Sequence, residues 1–355
     1  MTVYWLMFAP LAILAVLERD VDRAAQRLVT LFGLLAMIIL SVLIGGRYQV
    51  GGDWFNYLGQ FDYLGRLDLE GLLLRRLDIG YGLLNGYARE MGWGIIGVNA
   101  VSAVFFSIGL VTFCHAQPRP RLAMLVAIPY LVIVVGMGYT RQSVAIGFAM
   151  LGLVFLSRRS NVGFVVSVLL ASMFHKSAIV LLPVAVLSTT DKRIWTALWV
   201  SVAFILGYLS ILQDSVDRLV TTYINSQIQS QGAMIRVMMN ALPALVFLML
   251  RRHFDMLPTE RRLWTWLSLV ALGSVAVLAI SSSSTAVDRM ALYLIPIQLF
   301  VLARLPDALQ KLQYNKNSVV MGLVAYSAAV QFVWLNFAAH SYAWVPYRFY
   351  FFEAP

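Results

Sequence analysis

Residues 28–44 read LVTLFGLLAMIILSVLI without a single charge, and the chain then turns polar through Gly45-Gly46-Arg47-Tyr48-Gln49-Val50-Gly51-Gly52-Asp53-Trp54-Phe55-Asn56-Tyr57. In hydrocarbon every backbone N–H and C=O must find its partner within the segment, so an apolar run of this length reads as a membrane-spanning helix. Arginine and aspartate at the mouth of such a helix are costly to place unless they serve a ligand or a reaction.

The same alternation continues along the whole chain. Of its 355 residues 60% are hydrophobic and 12% charged, and the mean hydropathy is +0.77. This is the composition of an all-α polytopic integral membrane protein, a single transmembrane domain over residues 1–355. Breaks at charged or Pro/Gly-rich points predict about twelve spans, near 3–17, 28–44, 94–113, 122–138, 143–156, 162–174, 177–187, 194–212, 234–250, 263–280, 290–303 and 318–338. The sixth and seventh are short, and the interruption at His175 predicts a broken or re-entrant element. Met1-Thr2-Val3-Tyr4 lacks the basic n-region of a cleaved leader, so the first run is expected to persist as a helix. Cys114 is the one cysteine, in an apolar run, where a buried thiol is expected.

The net charge of +10 suggests nucleic acid in a soluble protein, but here the basic residues punctuate apolar runs, and no nucleic-acid partner is expected. Loops at 18–27, 117–121, 157–161, 189–193, 251–262 and 304–317 hold most of the 27 lysines and arginines and are expected to face the cytoplasm, their basic residues snorkelling to headgroups. Both termini then lie outside. So do the polar groups that look out of place: Arg47, Asp53, Arg141-Gln142, His175-Lys176, Asp288-Arg289 and Tyr347-Arg348. An outward-facing site follows, with residues 45–93 folded over it as amphipathic helices.

Each residue type suits a chemistry. Asp53 reads as a general base or as the ion-pair partner of Arg47. Arg141 opens a helix, where a guanidinium fork and the helix N-terminus together attract phosphate; the alternative is a guanidinium among headgroups. Tyr57, Phe61 and Leu64 recur at helical spacing as an apolar face, with Tyr57 the most plausible ligand contact. Tyr81, within Asp78-Ile79-Gly80-Tyr81, can pack on a sugar or serve a surface turn. No His/Cys/Asp/Glu cluster has metal-ligand spacing, so no metal is expected. The aromatic segment 343–352 reads as an interfacial belt, Tyr347 excepted.

Taken in order, Arg47-Tyr48-Gln49-Val50-Gly51-Gly52-Asp53 with Tyr57, Asp78-Ile79-Gly80-Tyr81, Arg141-Gln142-Ser143-Val144-Ala145, Phe174-His175-Lys176-Ser177-Ala178 and Arg289 with Tyr293 resemble the EpsG-like, Wzy-type polysaccharide polymerases of bacterial envelopes. The resemblance covers residues from about 40 to 295 and departs at Asp78, where glutamate is commoner, and at Gly52. It implies a GT-C-like glycosyltransferase in the bacterial inner membrane with its site facing the periplasm. Donor and acceptor would be undecaprenyl-diphosphate-linked oligosaccharides; a chain-length regulator and a flippase would be further partners, and no cofactor would be needed. Under that resemblance Arg47, Arg141, Arg289 and Lys176 would bind diphosphate, and Asp53 or His175 would be the base. Tyr57, Tyr81, Gln142, Asp288, Tyr293 and Tyr347 would hold the sugars. An O-antigen ligase shares these features, and a flippase or transporter predicts charges nearer the bilayer midplane instead.

Overall fold

The computed structural model describes residues 1–18, 23–75, 77–184, 202, 232–281 and 283–353, with backbone only for 23–30. Within them the chain is helical: α1 Thr2–Val16, α2 Arg23–Gly45, α3 Trp54–Leu64, α4 Leu69–Leu74, α5 Ile79–Glu90, α6 Gly94–His115 and α7 Pro120–Ala127, which runs into a π-helix, Ile128–Gly136. Then follow α8 Thr140–Ser157, α9 Asn161–Phe174, a 3₁₀ turn Lys176–Leu181, α10 Ala233–Leu250, α11 Pro258–Ile280, α12 Ser284–Ala291, α13 Pro296–Gln310, α14 Lys316–Phe337 and α15 Tyr350–Glu353.

Among the described residues five helices, α6, α8, α10, α11 and α14, are long and apolar enough to cross a membrane. The pair Ser284–Leu294 and Pro296–Gln310, bent by 45°, makes a sixth if it counts as one span. Thr2–Val16, Leu31–Gly45, Pro120–Gly136 and Asn161–Phe174 are shorter apolar helices. The expected span at 194–212, apart from residue 202, and the end of the one at 177–187 lie outside the described residues.

Helix α6 packs between α2 and α8, and α8 leans on α9; α10 packs on α11 and α13. In lipid, helices associate by close packing, which favours small residues at crossings. The α6–α8 crossing is built that way: a Cβ on Gly109 would sit 2.0 Å from the Gly147 carbonyl oxygen.

The π-helix is the irregular element. Pro129 lacks an N–H and crowds the preceding turn, and a widened turn relieves that crowding. Its Ile133 carbonyl accepts a 2.8 Å bond from the indole N–H of Trp344, a residue far along the chain. The segment following α14 thus folds back into the bundle. Tyr48 N–H donates to the Arg348 carbonyl at 3.0 Å, Tyr350 N–H to Gly46 at 2.8 Å, and Gly51 N–H to Ala343 at 2.8 Å. The segment read as an aromatic belt also clamps residues 46–51, while Phe351 and Phe352 stay exposed. Only glycine fits at 51, where φ is +107° and a Cβ would meet the Met137 carbonyl oxygen at 2.4 Å.

At the opposite end of the bundle the basic loops are not simply snorkelling. Arg119 pairs with Asp307 at 3.1 Å, Arg304 pairs with Glu260 at 2.9 Å, and the Glu18 carboxylate accepts the backbone N–H groups of Arg121 and Leu122. The acids scattered among those loops converge on the arginines once the helices stack, so charges that look solvated in sequence are paired and largely buried.

Candidate functional site

A cavity of about 520 Å³ opens at the end of the bundle where α3 crosses the starts and ends of the spans. Helix α3 supplies one wall with Asp53 at its N-cap, then Phe55, Asn56, Tyr57, Gln60 and Tyr63. The start of α8 supplies Tyr139, Arg141 and Gln142, the end of α9 supplies His175, and α12 supplies Arg289. Thus Asp53, Tyr57, Arg141, Gln142, His175 and Arg289, which sequence placed on one face, line a single space.

The two arginines are held differently. Arg141 donates through Nη1 to Asp78 at 2.7 Å, and its guanidinium lies 5.9 Å from the Tyr57 ring centroid and 5.8 Å from that of Tyr81. Its buried Nε has no hydrogen-bond partner. The Asp78 carboxylate also accepts the backbone N–H of Lys176, and burial pushes this carboxyl up against the pull of Arg141. The stretch bearing Arg289 is fixed from two sides: Gln142, itself a cavity residue, donates through Nε2 to the Arg289 carbonyl at 2.7 Å, and Asn240 Nδ2 donates to the Ala291 carbonyl at 2.8 Å.

His175 ends α9 in an extended conformation, φ −151° and ψ 107°, which breaks the helix before the 3₁₀ turn. The Ser177 hydroxyl contacts His175 Nδ1 at 3.0 Å and the Tyr293 hydroxyl at 3.2 Å, a short chain that orients the imidazole. Burial, reinforced by the charges of Arg141 and Arg289, lowers the His175 pKa to about 3, so the ring is neutral at ordinary pH. Asp53 accepts a 3.1 Å bond from Asn56 Nδ2.

Other residues singled out in sequence lie elsewhere. Arg47 is 2% exposed and does not pair with Asp53. It donates to the Ile44 carbonyl at 2.5 Å, Asn99 Oδ1 at 3.1 Å and Thr140 Oγ1 at 2.7 Å, joining α2, α6 and α8 behind the cavity. Asp288 is gripped by Arg236, Nε to Oδ1 and Nη2 to Oδ2, both at 2.7 Å. The Tyr347 hydroxyl donates to the Leu43 carbonyl at 2.7 Å, and its ring meets Tyr4 edge-on. Tyr81 is fully buried beneath Tyr57. Tyr293 is buried as well and reaches the cavity only through Ser177.

Sequence reading missed Asn56, Gln60 and Tyr63. Their i, i+4, i+7 spacing is the signal, a polar stripe beside the apolar Tyr57, Phe61 and Leu64 stripe. It also missed Arg236, whose signal is a lone guanidinium just inside an apolar run.

A bundle of apolar helices, five of them among the described residues long and apolar enough to cross a membrane, marks a multi-pass membrane protein with a polar, arginine-lined cavity at this end. The chain belongs to the EpsG family, whose sequence profile matches residues 30–349. It is accordingly a membrane protein of polysaccharide biosynthesis. Neither a curated protein nor a solved structure matches it.

Proposed function

We propose that this chain is a polysaccharide polymerase, transferring a growing glycan from undecaprenyl diphosphate to the non-reducing end of a lipid-linked repeat unit at the outer face of a bacterial inner membrane. The observation that carries the reading is the convergence of Asp53, Arg141, His175 and Arg289 on one cavity in a member of the EpsG family. We also extend the architecture to about twelve spans of GT-C-like arrangement. Ten of the predicted apolar runs coincide with described helices, and the other two fall partly or almost wholly outside the described residues.

In this mechanism the acceptor hydroxyl loses its proton to the Asp53 carboxylate as its oxygen bonds to the donor's anomeric carbon. The bond from that carbon to the diphosphate oxygen breaks with its electron pair, and the charge gathering on the departing diphosphate is met by Arg141 and Arg289. Asp53 is preferred to His175 because an imidazole whose proton affinity is so depressed is a poor base. His175, held by Ser177, presents an uncharged hydrogen-bonding ring to the sugars. Tyr57, Tyr63, Asn56 and Gln60 offer the aromatic faces and amides that suit a glycan.

The test is the length distribution of envelope glycan in a deletion strain carrying variants at matched protein levels. Arg141→Ala and Arg289→Ala should each slow elongation by about 10²–10³-fold, the usual loss on removing one donor to a developing oxyanion. Surface glycan should then stop at a single capped repeat. Full-length polymer from either variant removes that arginine from the site, and loss of all surface sugar in the deletion strain favours a flippase or ligase. Normal polymer from Asp53→Asn with none from His175→Ala moves the base to His175.

A further inference from the structure

A second cavity, about 500 Å³, lies at the opposite end of the bundle, in the crook between the end of α10 and the start of α11. Arg251, Arg261 and Arg262 line its upper part, and Trp266 and Leu269 its lower part. The nearby carboxylates are already engaged: Glu260 with Arg304 and Asp255 with Lys311. Among the described residues the three guanidinium groups therefore have no counter-charge, and two of them stand at the positive end of a 23-residue helix. All three side chains are exposed, and such a cluster attracts an anion.

The lower part of the cavity says what kind of anion. Arg262, Trp266 and Leu269 follow one face of α11 at i, i+4, i+7, and the 1.5 Å rise per residue sets the last about 10 Å deeper than the first. Trp266 is 44% exposed, Leu269 45% and Val270 49%, so this flank is open to the hydrocarbon that surrounds a spanning helix. Cation, amphipathic ring and aliphatic side chain thus succeed one another in the order of phosphate, glycerol and acyl chain across a membrane interface. A soluble phosphate would use only the upper half.

We propose that this cavity is a binding site for an anionic glycerophospholipid, its phosphate held by Arg251, Arg261 and Arg262 and its acyl chain lying along Trp266 and Leu269. The site is independent of the polymerase reading and stands or falls separately from it.

The experiment places the full-length protein in nanodiscs of phosphatidylcholine with one fifth phosphatidylglycerol, then counts retained lipids by native mass spectrometry after detergent release. Wild type should keep phosphatidylglycerol in preference to phosphatidylcholine. Charge near an anionic surface supports about a 5-fold change in affinity per arginine, so R251Q/R261Q/R262Q should bind about 100-fold more weakly. W266A should weaken retention with all three charges intact. Arg158 and Arg159, exposed at the same end but outside the cavity, provide the control, and R158Q/R159Q should retain lipid as wild type does. Equal loss in that control reduces the effect to general surface charge and overturns the proposal. Equal retention of the two lipids, or displacement of phosphatidylglycerol by millimolar inorganic phosphate, overturns it too. If the triple variant does not fold, R261Q and R262Q singly carry the same test.

Discussion

Replacing Arg47 by methionine separates a guanidinium that binds ligand from one that holds the scaffold. The side chain donates three hydrogen bonds across α2, α6 and α8, each charge-assisted and contributing about 1.5 kcal/mol or more. Against this stands the cost of burying the charge. Desolvation lowers the Arg47 pKa from 12.5 to about 10, which at 1.36 kcal/mol per unit is about 3 kcal/mol. Methionine removes both contributions, leaving a net loss of about 1–2 kcal/mol. To this is added about 1–3 kcal/mol for buried acceptors that lose their donor, chiefly the Ile44 carbonyl and Asn99 Oδ1. A total near 3 kcal/mol corresponds to a melting temperature lower by on the order of 5 °C. Thermal unfolding of the purified protein in detergent, followed by size-exclusion chromatography, measures it. Polymer made per folded molecule, titrated against lipid-linked donor, should give a KM within about twofold of wild type, because Arg47 does not line the cavity. A variant that melts like wild type but loses donor affinity tenfold or more would refute the reasoning and return Arg47 to the diphosphate.

Three further outcomes follow from the same geometry. His175 is neutral above about pH 3, so falling pH does not charge it between 8 and 5; any acid limb in elongation rate over that range should stay in place in His175→Asn, measured on membranes buffered at each pH. Arg236→Ala removes the two 2.7 Å bonds to the Asp288 carboxylate beside Arg289 and should reduce elongation at least tenfold, while Arg236→Ala with Asp288→Ala recovers part of the loss, since removing both partners is milder than removing one; glycan ladders at matched protein levels decide it. Trp344→Phe leaves the Ile133 carbonyl without its donor and should destabilise the protein by about 1–3 kcal/mol, read as a lower melting temperature.

The long apolar helices were legible because hydrocarbon tolerates no unpaired backbone, and the cavity's polar groups were legible because Arg141, His175 and Arg289 interrupt apolar runs at their ends. What each guanidinium does was not. Arg47 and Arg141 both sit at helix ends, Arg47 just past the C-terminus of α2 and Arg141 in the first turn of α8. Arg47 is buried because Asn99 and Thr140, 52 and 93 residues away, supply acceptors that no local pattern announces. Asp288 was misread for the same reason, its partner Arg236 lying 52 residues upstream on another helix. The polar stripe of Asn56, Gln60 and Tyr63 was present in the sequence, but a two-sided helix needs its surroundings before one can say which side meets the ligand. The π-helix was invisible, since Pro129 marks a disturbance without specifying its geometry.

The clamp on residues 46–51 has a consequence for synthesis. Gln49 and its partner Arg348 are separated by 299 positions, so a ribosome has made nearly every cavity-lining side chain before the strap that secures the first of them emerges. A nascent chain threaded only as far as Phe337 holds its arginines over an unfastened loop. The backbone bonds that join Gly46, Tyr48 and Gly51 to Tyr350, Arg348 and Ala343 therefore form only after translation has passed Tyr350.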